Sequence, residues 1–292
     1  NDLADLRARL ERILVGSTRD GQPVFAGQLD VVGAMLALLR DAFMPNLVQT
    51  QEGTPAIVHG GPFANIAHGC NSIVATRTAL HLADWVVTEA GFGVDLGAEK
   101  FFDIKCRAAG LDPAAVVVVG TLRALKMHGG VALEDLGNAD PAAVERGLPN
   151  LEKQCENIRT FGKPPIVCLN RYTSDTEEEF AVVRRWCERT GTAFALGEHF
   201  LKGAEGAVEL AKTVMAACEK PTPRFRPLYE LDAPPADKIR AVARAMYGAT
   251  DVVFTTAAQA DLKNVEKQGF AKPPGCRTKT QSWQSDDARR RG

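Results

Sequence analysis

The chain has 292 residues, of which 45% are hydrophobic and 24% are charged, and this composition is ordinary for a globular protein. Its formal net charge of −1 gives no electrostatic reason to expect nucleic acid or a membrane surface as a partner. No run of about 18 apolar residues predicts a membrane-spanning helix.

Seven cysteines are spread along the chain without a C-x-x-C pair, and their number is odd. This pattern argues against a zinc site and a disulfide framework, and it favours a reducing compartment. We therefore expect a cytoplasmic protein, with an organelle as the alternative.

Apolar runs rich in valine and isoleucine alternate with helical patterns. The predicted strands are 56–58, 85–88, 116–120, 166–169, 193–196 and, more weakly, 252–254. Helical spacing predicts an amphipathic helix at the amino terminus and helices over 30–42, 72–83, 149–161, 176–190, 208–218 and 237–247. This alternation predicts an α/β fold with a mostly parallel sheet covered by helices.

Prolines at positions 221, 223, 227, 234 and 235 mark a boundary. We expect residues 1–220 to form the α/β central body with the ligand pocket. Residues 221–292 then form a smaller helical appendage with an irregular tail.

The first glycine-rich turn, Gly60-Gly61-Pro62-Phe63-Ala64-Asn65, directly follows the predicted strand 56–58. Glycines let backbone N–H groups approach an anion, and the start of the next helix adds positive potential. Phe63, Asn65 and His68 around this turn are therefore candidates for shaping a ligand pocket. A tight turn before a capped helix explains the spacing slightly better, with His68 as a hydrogen-bonded core residue.

The second glycine-rich turn, residues 91–97, follows the predicted strand 85–88. Glu89 stands at the strand end, where a carboxylate suits an amine-bearing heterocycle or a cation. Asp95, Glu99 and Lys100 follow, and a structural salt-bridge network explains these charges equally well. Two such turns after apolar strands are typical of a ligand crevice at the carboxyl edge of an α/β sheet.

Two cations follow the predicted strand 116–120. Arg123 suits a phosphate or carboxylate as a two-pronged donor, and Lys126 suits either anion as a point charge. The alternative is a solvated helix after the strand.

An asparagine and an aromatic residue follow the predicted strand 166–169. The amide of Asn170 can both donate to and accept from a purine edge, and the ring of Tyr172 can stack on a flat ligand. Asp175 or Thr176 is the expected cap of the next helix whatever the function. Asn170 as a purely structural turn residue stays open.

Several of these segments together resemble one enzyme family. The block 54–107, which contains both glycine-rich turns, is similar to the formate–tetrahydrofolate ligase family, and so is the run V-x-T-x-R-A-L-K-x-H-G-G at 119–130. Residues 45–50 and 225–229 match as well, and the similarity extends from about residue 3 to residue 270. Gly120 stands where the family usually has alanine or serine, and Ala204 replaces a glycine in the turn 202–206.

The resemblance implies a P-loop NTPase-like enzyme that ligates formate to tetrahydrofolate and gives 10-formyltetrahydrofolate, ADP and phosphate. The co-substrate is ATP with Mg²⁺, and the intermediate is formyl phosphate. The family also implies a homo-oligomer, and a monovalent cation stays open as a further ligand.

The same resemblance groups the candidate residues by role. Phe63, Asn65 and His68 shape the pocket, while Glu89 and Asp95 lie on the folate or cation side. Arg123 and Lys126 face anions as the catalytic candidates, and Asn170 contacts the nucleotide. Tyr172 contacts the adenine or the pterin. Leu148 lines the pterin pocket together with Tyr172. It directly precedes Pro149, which lies near the expected first turn of the helix 149–161.

A phosphate-binding loop is missing, because no G-x-x-x-x-G-K-[ST] motif occurs in the chain. We therefore expect an internal fragment of a ligase that lacks this loop and the family's last segment, and that is inactive in isolation. One alternative is a truncated, non-catalytic ligase-like protein that binds folate or a partner. The other is a different P-loop-like amide-forming ligase.

Overall fold

A computed structural model describes residues 2–278 of the chain. The helices are α1 Leu3–Glu11, α2 Val32–Leu39, α3 Ile73–Leu82, α4 Arg107–Ala109, α5 Leu122–His128, α6 Pro141–Thr160, α7 Glu177–Thr190, α8 His199–Lys202, α9 Val208–Cys218, α10 Pro235–Tyr247 and α11 Thr256–Lys267. The strands are β1 Leu14–Ser17, β2 Pro23–Phe25, β3 Asn46–Gln49, β4 Pro55–Val58, β5 Val116–Gly120, β6 Pro165–Asn170 and β7 Ala193–Gly197. Most of the predicted irregular tail, residues 279–292, lies outside the described residues. Within 2–278, no helix combines the length and apolarity needed to cross a membrane.

The central sheet has three parallel strands in the order β5-β6-β7. The middle strand β6 is almost wholly buried, which fits its unbroken run of apolar residues. Helices α5 and α6 follow β5, and α7 follows β6, so the chain forms βαβ units. The predicted α/β class with a parallel, helix-covered sheet is confirmed, and the predicted strands 116–120, 166–169 and 193–196 correspond to β5, β6 and β7.

The other strands form two antiparallel hairpins, β1-β2 and β3-β4. The predicted strand 56–58 lies within β4, but it pairs with β3 instead of extending the parallel sheet. The predicted strands 85–88 and 252–254 are wrong for the described residues, since neither forms a strand there. Their central valines, Val87 and Val253, are 94% and 95% exposed. A strand persists only where a neighbour pairs its backbone N–H and C=O groups, and no described strand pairs with either segment.

Helix starts follow their capping residues. Thr176, one of the two predicted caps, is the N-cap of α7, and its hydroxyl forms a reciprocal cap with the Glu179 carboxylate. Helix α6 begins at Pro141 and not near Pro149, because the Asp140 carboxylate accepts from the Ala143 N–H at 2.8 Å. Pro149 therefore lies inside the helix, contrary to the prediction.

The core is formed by the sheet and the helices packed on it. Ile158 of α6, Phe180 of α7 and Val167 of β6 are fully buried in it. Helix α10, in the predicted appendage, contributes Met246 to the same core, and the Asn157 amide donates to the Met246 carbonyl at 3.1 Å. The division of the chain at residue 220 stays a prediction.

Candidate active site

Three predicted site residues lie at the edge of the sheet where the parallel strands end: Asn170, Arg123 and Tyr172. Asn170 is the last residue of β6 and lies in register with Gly197, the last residue of β7. A Cβ on Gly197 would stand 2.8 Å from the Asn170 side-chain oxygen, so glycine is the residue that leaves room for this amide. The sequence therefore places a hydrogen-bonding amide at the edge where α/β proteins bind ligands.

Arg123 and Tyr172 form one unit at this edge. The Arg123 guanidinium carbon lies 4.4 Å from the centre of the Tyr172 ring. Its Nη2 donates to the Ser174 hydroxyl at 3.4 Å, whereas its buried Nε has no partner among the described residues. Tyr172 is 39% exposed. The stack orients a planar cation and leaves part of an aromatic ring open to a flat ligand.

Lys126 lies three residues after Arg123 on α5 but points into the protein. Its side chain is fully buried, and Nζ lies 2.9 Å from the Glu179 carboxylate and 2.8 Å from the Asn138 carbonyl. Burial by itself would raise the pKa of Glu179, but hydrogen bonds from the Asp140 N–H, Lys126 and Thr176 hold it below its usual value. Arg123 and Lys126 thus do not converge on one open site in this structure.

A buried lysine donates hydrogen bonds to the backbone of the first glycine-rich turn. Lys100 Nζ donates to the carbonyls of Ala64 and Ala67 at 2.6 and 2.7 Å. Phe63 on this turn is 72% exposed, and Asn65 is exposed as well. His68 is half-buried, and its pKa is lowered by burial and by the nearby charges of Lys105 and Lys100. A neutral imidazole and an open aromatic ring suit a pocket wall.

The two glycine-rich turns pack against each other. The Gly91 N–H donates to the Gly69 carbonyl at 3.1 Å. A Cβ on Gly91 would stand 2.9 Å from the Ala64 Cβ of the first turn, so this contact requires glycine. Asn71 joins the same region, because its side-chain oxygen accepts from the Thr88 hydroxyl at 3.1 Å and also from Lys105 Nζ. The sequence analysis predicted two separate turns, and in the structure the two turns contact each other.

The acidic residues in and near the second turn differ in how far they are buried. Glu89 is exposed, whereas Asp95 is fully buried and accepts from the Tyr247 hydroxyl at 2.9 Å. Burial raises the pKa of Asp95. Glu99 pairs with Arg277 at 3.1 Å. Hence a structural ion pair does form here, with an arginine far along the chain and not with Lys100.

Leu148 lies in the core. It is 7% exposed on the inner face of α6 and packs within the main hydrophobic cluster. Leu148 and Tyr172 therefore differ in exposure, and the shared pterin-pocket role stays a prediction.

Two aromatic residues were missed by the sequence reasoning. Phe92 has φ +66°, a left-handed conformation that is unusual for a bulky residue and points to a functional constraint. Its position between Gly91 and Gly93 is the sequence signal that was available. Phe200 follows β7 at the carboxyl edge and is 84% exposed.

A parallel α/β sheet whose carboxyl edge carries an amide, an arginine stacked on tyrosine and open aromatic rings is an arrangement typical of α/β proteins that bind small molecules. A family model described as formate–tetrahydrofolate ligase matches residues 1–292. A formate–tetrahydrofolate ligase of Granulibacter bethesdensis (strain ATCC BAA-1260 / CGDNIH1) is 50% identical over 291 residues, which are 100% of this chain and 51% of that relative. The chain belongs to the formate–tetrahydrofolate ligase family, and it spans about half the length of this curated relative.

Proposed function

We propose that this chain forms the central body of an ATP-dependent formate–tetrahydrofolate ligase. The observation that carries the proposal is the family match over all 292 residues. The product is 10-formyltetrahydrofolate, with ADP and phosphate released.

The reaction consists of two displacements. A formate oxygen attacks the γ-phosphorus of ATP and ADP leaves, which gives formyl phosphate. N10 of tetrahydrofolate then attacks the formyl carbon, phosphate leaves and the nitrogen loses its proton. Both steps depend on positioning and charge neutralisation, and neither needs a protein nucleophile.

The carboxyl edge of the sheet supplies the best-supported contacts. Arg123 is oriented by its stack on Tyr172, so its guanidinium can hold a phosphate or carboxylate. In this proposal Asn170 reads a purine edge, and the open part of the Tyr172 ring stacks on adenine or pterin. Lys126 acts indirectly in this proposal, because its ion pair with Glu179 ties α5 to α7.

The two joined turns supply the other side of the pocket. Phe63, Asn65 and His68 shape it, and Glu89 faces the folate amines or a cation. Asp95 acts from within the protein through its Tyr247 hydrogen bond. Leu148 supports the pterin side from the core. A cytoplasmic location, with an organelle as the alternative, and a homo-oligomeric state complete the proposal.

The phosphate groups of ATP need further residues. The sequence has no G-x-x-x-x-G-K-[ST] motif. Residues 2–278 also contain no group of three His, Cys, Asp or Glu side chains arranged to hold a metal ion. We therefore treat Mg²⁺ as part of the MgATP substrate and assign it no ligand in this chain, and we do the same for a monovalent cation.

The second candidate function is a non-catalytic ligase-like protein that binds folate or a partner. The absence of a G-x-x-x-x-G-K-[ST] motif from this sequence favours it. Measurable ATP- and folate-dependent formylation by the purified chain would exclude this candidate, and would also refute our expectation that the isolated chain is inactive.

Thermal unfolding with tetrahydrofolate and, separately, with MgATP tests ligand binding. We expect a higher melting temperature with tetrahydrofolate, since a ligand that binds only the folded state stabilises it. Tyr172→Ala should abolish the rise, whereas Val253→Ala, a matched exposed position, should keep it. If neither ligand shifts the melting temperature, alone or in the presence of the remaining part of the Granulibacter ligase, the proposed site is wrong.

A further inference from the structure

A serine and a histidine share a side-chain hydrogen bond beside the first glycine-rich turn. The Nδ1 atom of His59 lies 2.7 Å from the Ser72 hydroxyl oxygen. The backbone holds the same pair, because the Ser72 N–H donates to the His59 carbonyl at 3.1 Å. His59 directly follows β4, and Ser72 directly precedes α3. The end of a strand and the start of a helix therefore fix the two side chains relative to each other.

A third group determines which nitrogen of His59 carries the proton. Nε2 lies 2.8 Å from the carbonyl oxygen of Ala42, in the turn after α2. A carbonyl only accepts hydrogen bonds, so Nε2 is the protonated nitrogen of the neutral imidazole. Nδ1 then carries the lone pair, and the Ser72 hydroxyl donates to it. This is the arrangement of a nucleophile, a base and a group that orients the base.

The other hydrogen bond of the Ser72 hydroxyl is compatible with a nucleophilic role. Its oxygen accepts from the Ala75 N–H at 2.9 Å and so caps α3. A hydroxyl has one proton and two lone pairs. The proton goes to His59 and the cap uses one lone pair, so the other lone pair is available for attack. The capping N–H and the helix start both stabilise negative charge on this oxygen.

Two backbone donors border the serine. A Cβ on Gly60 would stand 3.6 Å from the Ser72 Cβ, so this glycine lies against the serine side chain. The N–H groups of Gly60 and Gly61 have no hydrogen-bond partner among residues 2–278. Unpaired N–H groups of adjacent glycines suit the oxyanion that forms when a hydroxyl attacks a carbonyl carbon.

We propose that Ser72 and His59 form a nucleophilic dyad that hydrolyses small, activated acyl esters. The Ser72 oxygen attacks the ester carbonyl carbon while His59 Nδ1 takes the hydroxyl proton. The ester C–O bond breaks, and the alcohol leaves with this proton. Water then attacks the acyl-serine with His59 again as the base, which releases the acid and restores the hydroxyl. The net reaction is ester plus water giving acid plus alcohol, so no further reactant is needed.

The openness of the dyad determines the class of ester. His59 and Ser72 are both half-buried, and a Cβ on Gly61 would meet nothing within 4 Å. A substrate therefore reaches the dyad directly from solvent. Such a site has little apolar wall to bind a long acyl chain, which favours a short acyl group with a good leaving group. The ligase reaction needs no protein nucleophile, so this second activity does not rest on the proposed function.

Two probes test the dyad in the 292-residue chain. Hydrolysis of p-nitrophenyl acetate measures turnover, and a fluorophosphonate labels an activated serine covalently as fluoride leaves. We expect the fluorophosphonate on the peptide that contains Ser72. Ser72→Ala should abolish this labelling and lower kcat/KM for the ester by at least about 100-fold. His59→Gln keeps the serine but removes its base, so it should lower labelling and hydrolysis as well.

Matched variants separate the chemistry from the helix cap. Thr255→Ala removes a cap of the same kind from α11, where the hydroxyl accepts from the Ala258 N–H at 3.2 Å. His81→Gln removes a histidine whose Nδ1 is hydrogen-bonded to a backbone carbonyl. Both variants should keep the labelling and the hydrolysis. Thr255→Ala and Ser72→Ala should lower the melting temperature to a similar extent, because each loses one cap.

Ser72→Asp covers the case in which Ser72→Ala fails to fold. A carboxylate is a good N-cap but has no nucleophilic hydroxyl, so this variant should keep the melting temperature and lose the labelling.

Three results would overturn the proposal. The first is a folded chain in which the fluorophosphonate leaves Ser72 unlabelled. The second is ester hydrolysis by Ser72→Asp at the rate of the unchanged chain. The third is an equal loss of activity in Thr255→Ala and Ser72→Ala, which would assign the loss to helix capping. Formate ligation is assayed separately with ATP and tetrahydrofolate, so its failure leaves this test intact.

Discussion

Lys126 and Glu179 form a buried ion pair in which hydrogen bonds reach both carboxylate oxygens. Oε1 accepts from Lys126 and from the Asp140 N–H, and Oε2 accepts from Thr176. The second set of buried charges includes two ion pairs, Glu99 with Arg277 and Asp103 with Arg107. There, Asp95, Glu99 and Asp103 are fully buried, and each keeps one oxygen without a partner among the described residues.

The two sets of charges differ in what protonation does to them. The hydrogen bonds to Glu179 hold its pKa low, so this carboxylate is ionised at neutral pH. Burial raises the pKa of Glu99 to about 8, against the opposing charge of Arg277. A proton on Glu99 lets it donate to the Asp103 carboxylate, which gives one of the unpaired oxygens a partner. The first set is therefore favoured as ions, whereas burial favours a proton on Glu99 in the second set.

The largest effect is expected when the satisfied pair is broken. Lys126→Met leaves the Glu179 charge buried without its cation, which should cost about 3–5 kcal/mol of unfolding free energy. Urea unfolding at neutral pH measures this loss. Lys212→Met, at an exposed position of α9, should change stability little. A loss below about 1 kcal/mol for Lys126→Met would mean that the pair contributes no more than a surface ion pair.

The next effect concerns the joint between the two glycine-rich turns. Gly91→Ala places a methyl group 2.9 Å from the Ala64 Cβ of the first turn and should cost about 1–3 kcal/mol through overpacking. Gly61→Ala is the matched control from the first turn, because nothing lies within 4 Å of its added Cβ. Thermal unfolding distinguishes the two variants. Equal melting temperatures would show that the turns do not pack as described.

A more gradual effect, spread over several pH units, is expected at Glu99. Its pKa in the folded state, about 8, lies above the ordinary value of 4.5, so its stabilising contribution is complete below pH 4.5 and is lost as pH rises through 8. The slope from one such proton is at most about 1.4 kcal/mol per pH unit. Glu99→Gln should flatten the fall in stability over this range, and Glu156→Gln, an exposed change on α6, should not. An unchanged slope in the Glu99 variant would assign the pH dependence to another group.

The smallest expected effect is an increase in stability, whereas the preceding variants lose stability or alter its pH dependence. Phe92→Gly relieves a left-handed conformation and should raise stability by about 1 kcal/mol or less. The same change should weaken tetrahydrofolate binding if this ring lines the pocket. Calorimetric titration measures tetrahydrofolate binding, and thermal unfolding of the same preparation measures stability. A variant that loses stability would show that the contacts of the ring outweigh the strain.

Local signals in the sequence were sufficient for much of this fold. The alternation of valine-rich runs with helices predicts β5, β6 and β7, and the expected cap at Asp175 or Thr176 predicts the start of α7, because these features depend on neighbours in the chain. The family resemblance predicted the glycine-rich turns as site elements. Asn170, Arg123 and Tyr172 could be grouped because parallel strands end at one edge.

Other features depend on partners distant in sequence. The inward direction of Lys126 is set by Glu179, and the burial of Asp95 is set by Tyr247 and Arg277, which lie beyond the expected domain boundary. The segment 85–88 has strand composition, but pairing depends on a neighbour that composition does not specify. Long-range pairs of this kind leave no local pattern to find.

The late position of Arg277 in the chain determines when its contacts with the second glycine-rich turn can form during synthesis. Its guanidinium donates to the Asp95 carbonyl at 2.5 Å and to the Glu99 carboxylate at 3.1 Å, although nearly two hundred residues separate these partners in the chain. A ribosome releases the carboxylates long before it releases the arginine that faces them. Until residue 277 emerges, the second glycine-rich turn lacks its counter-charge, and the nascent protein must keep those acids protonated or in water.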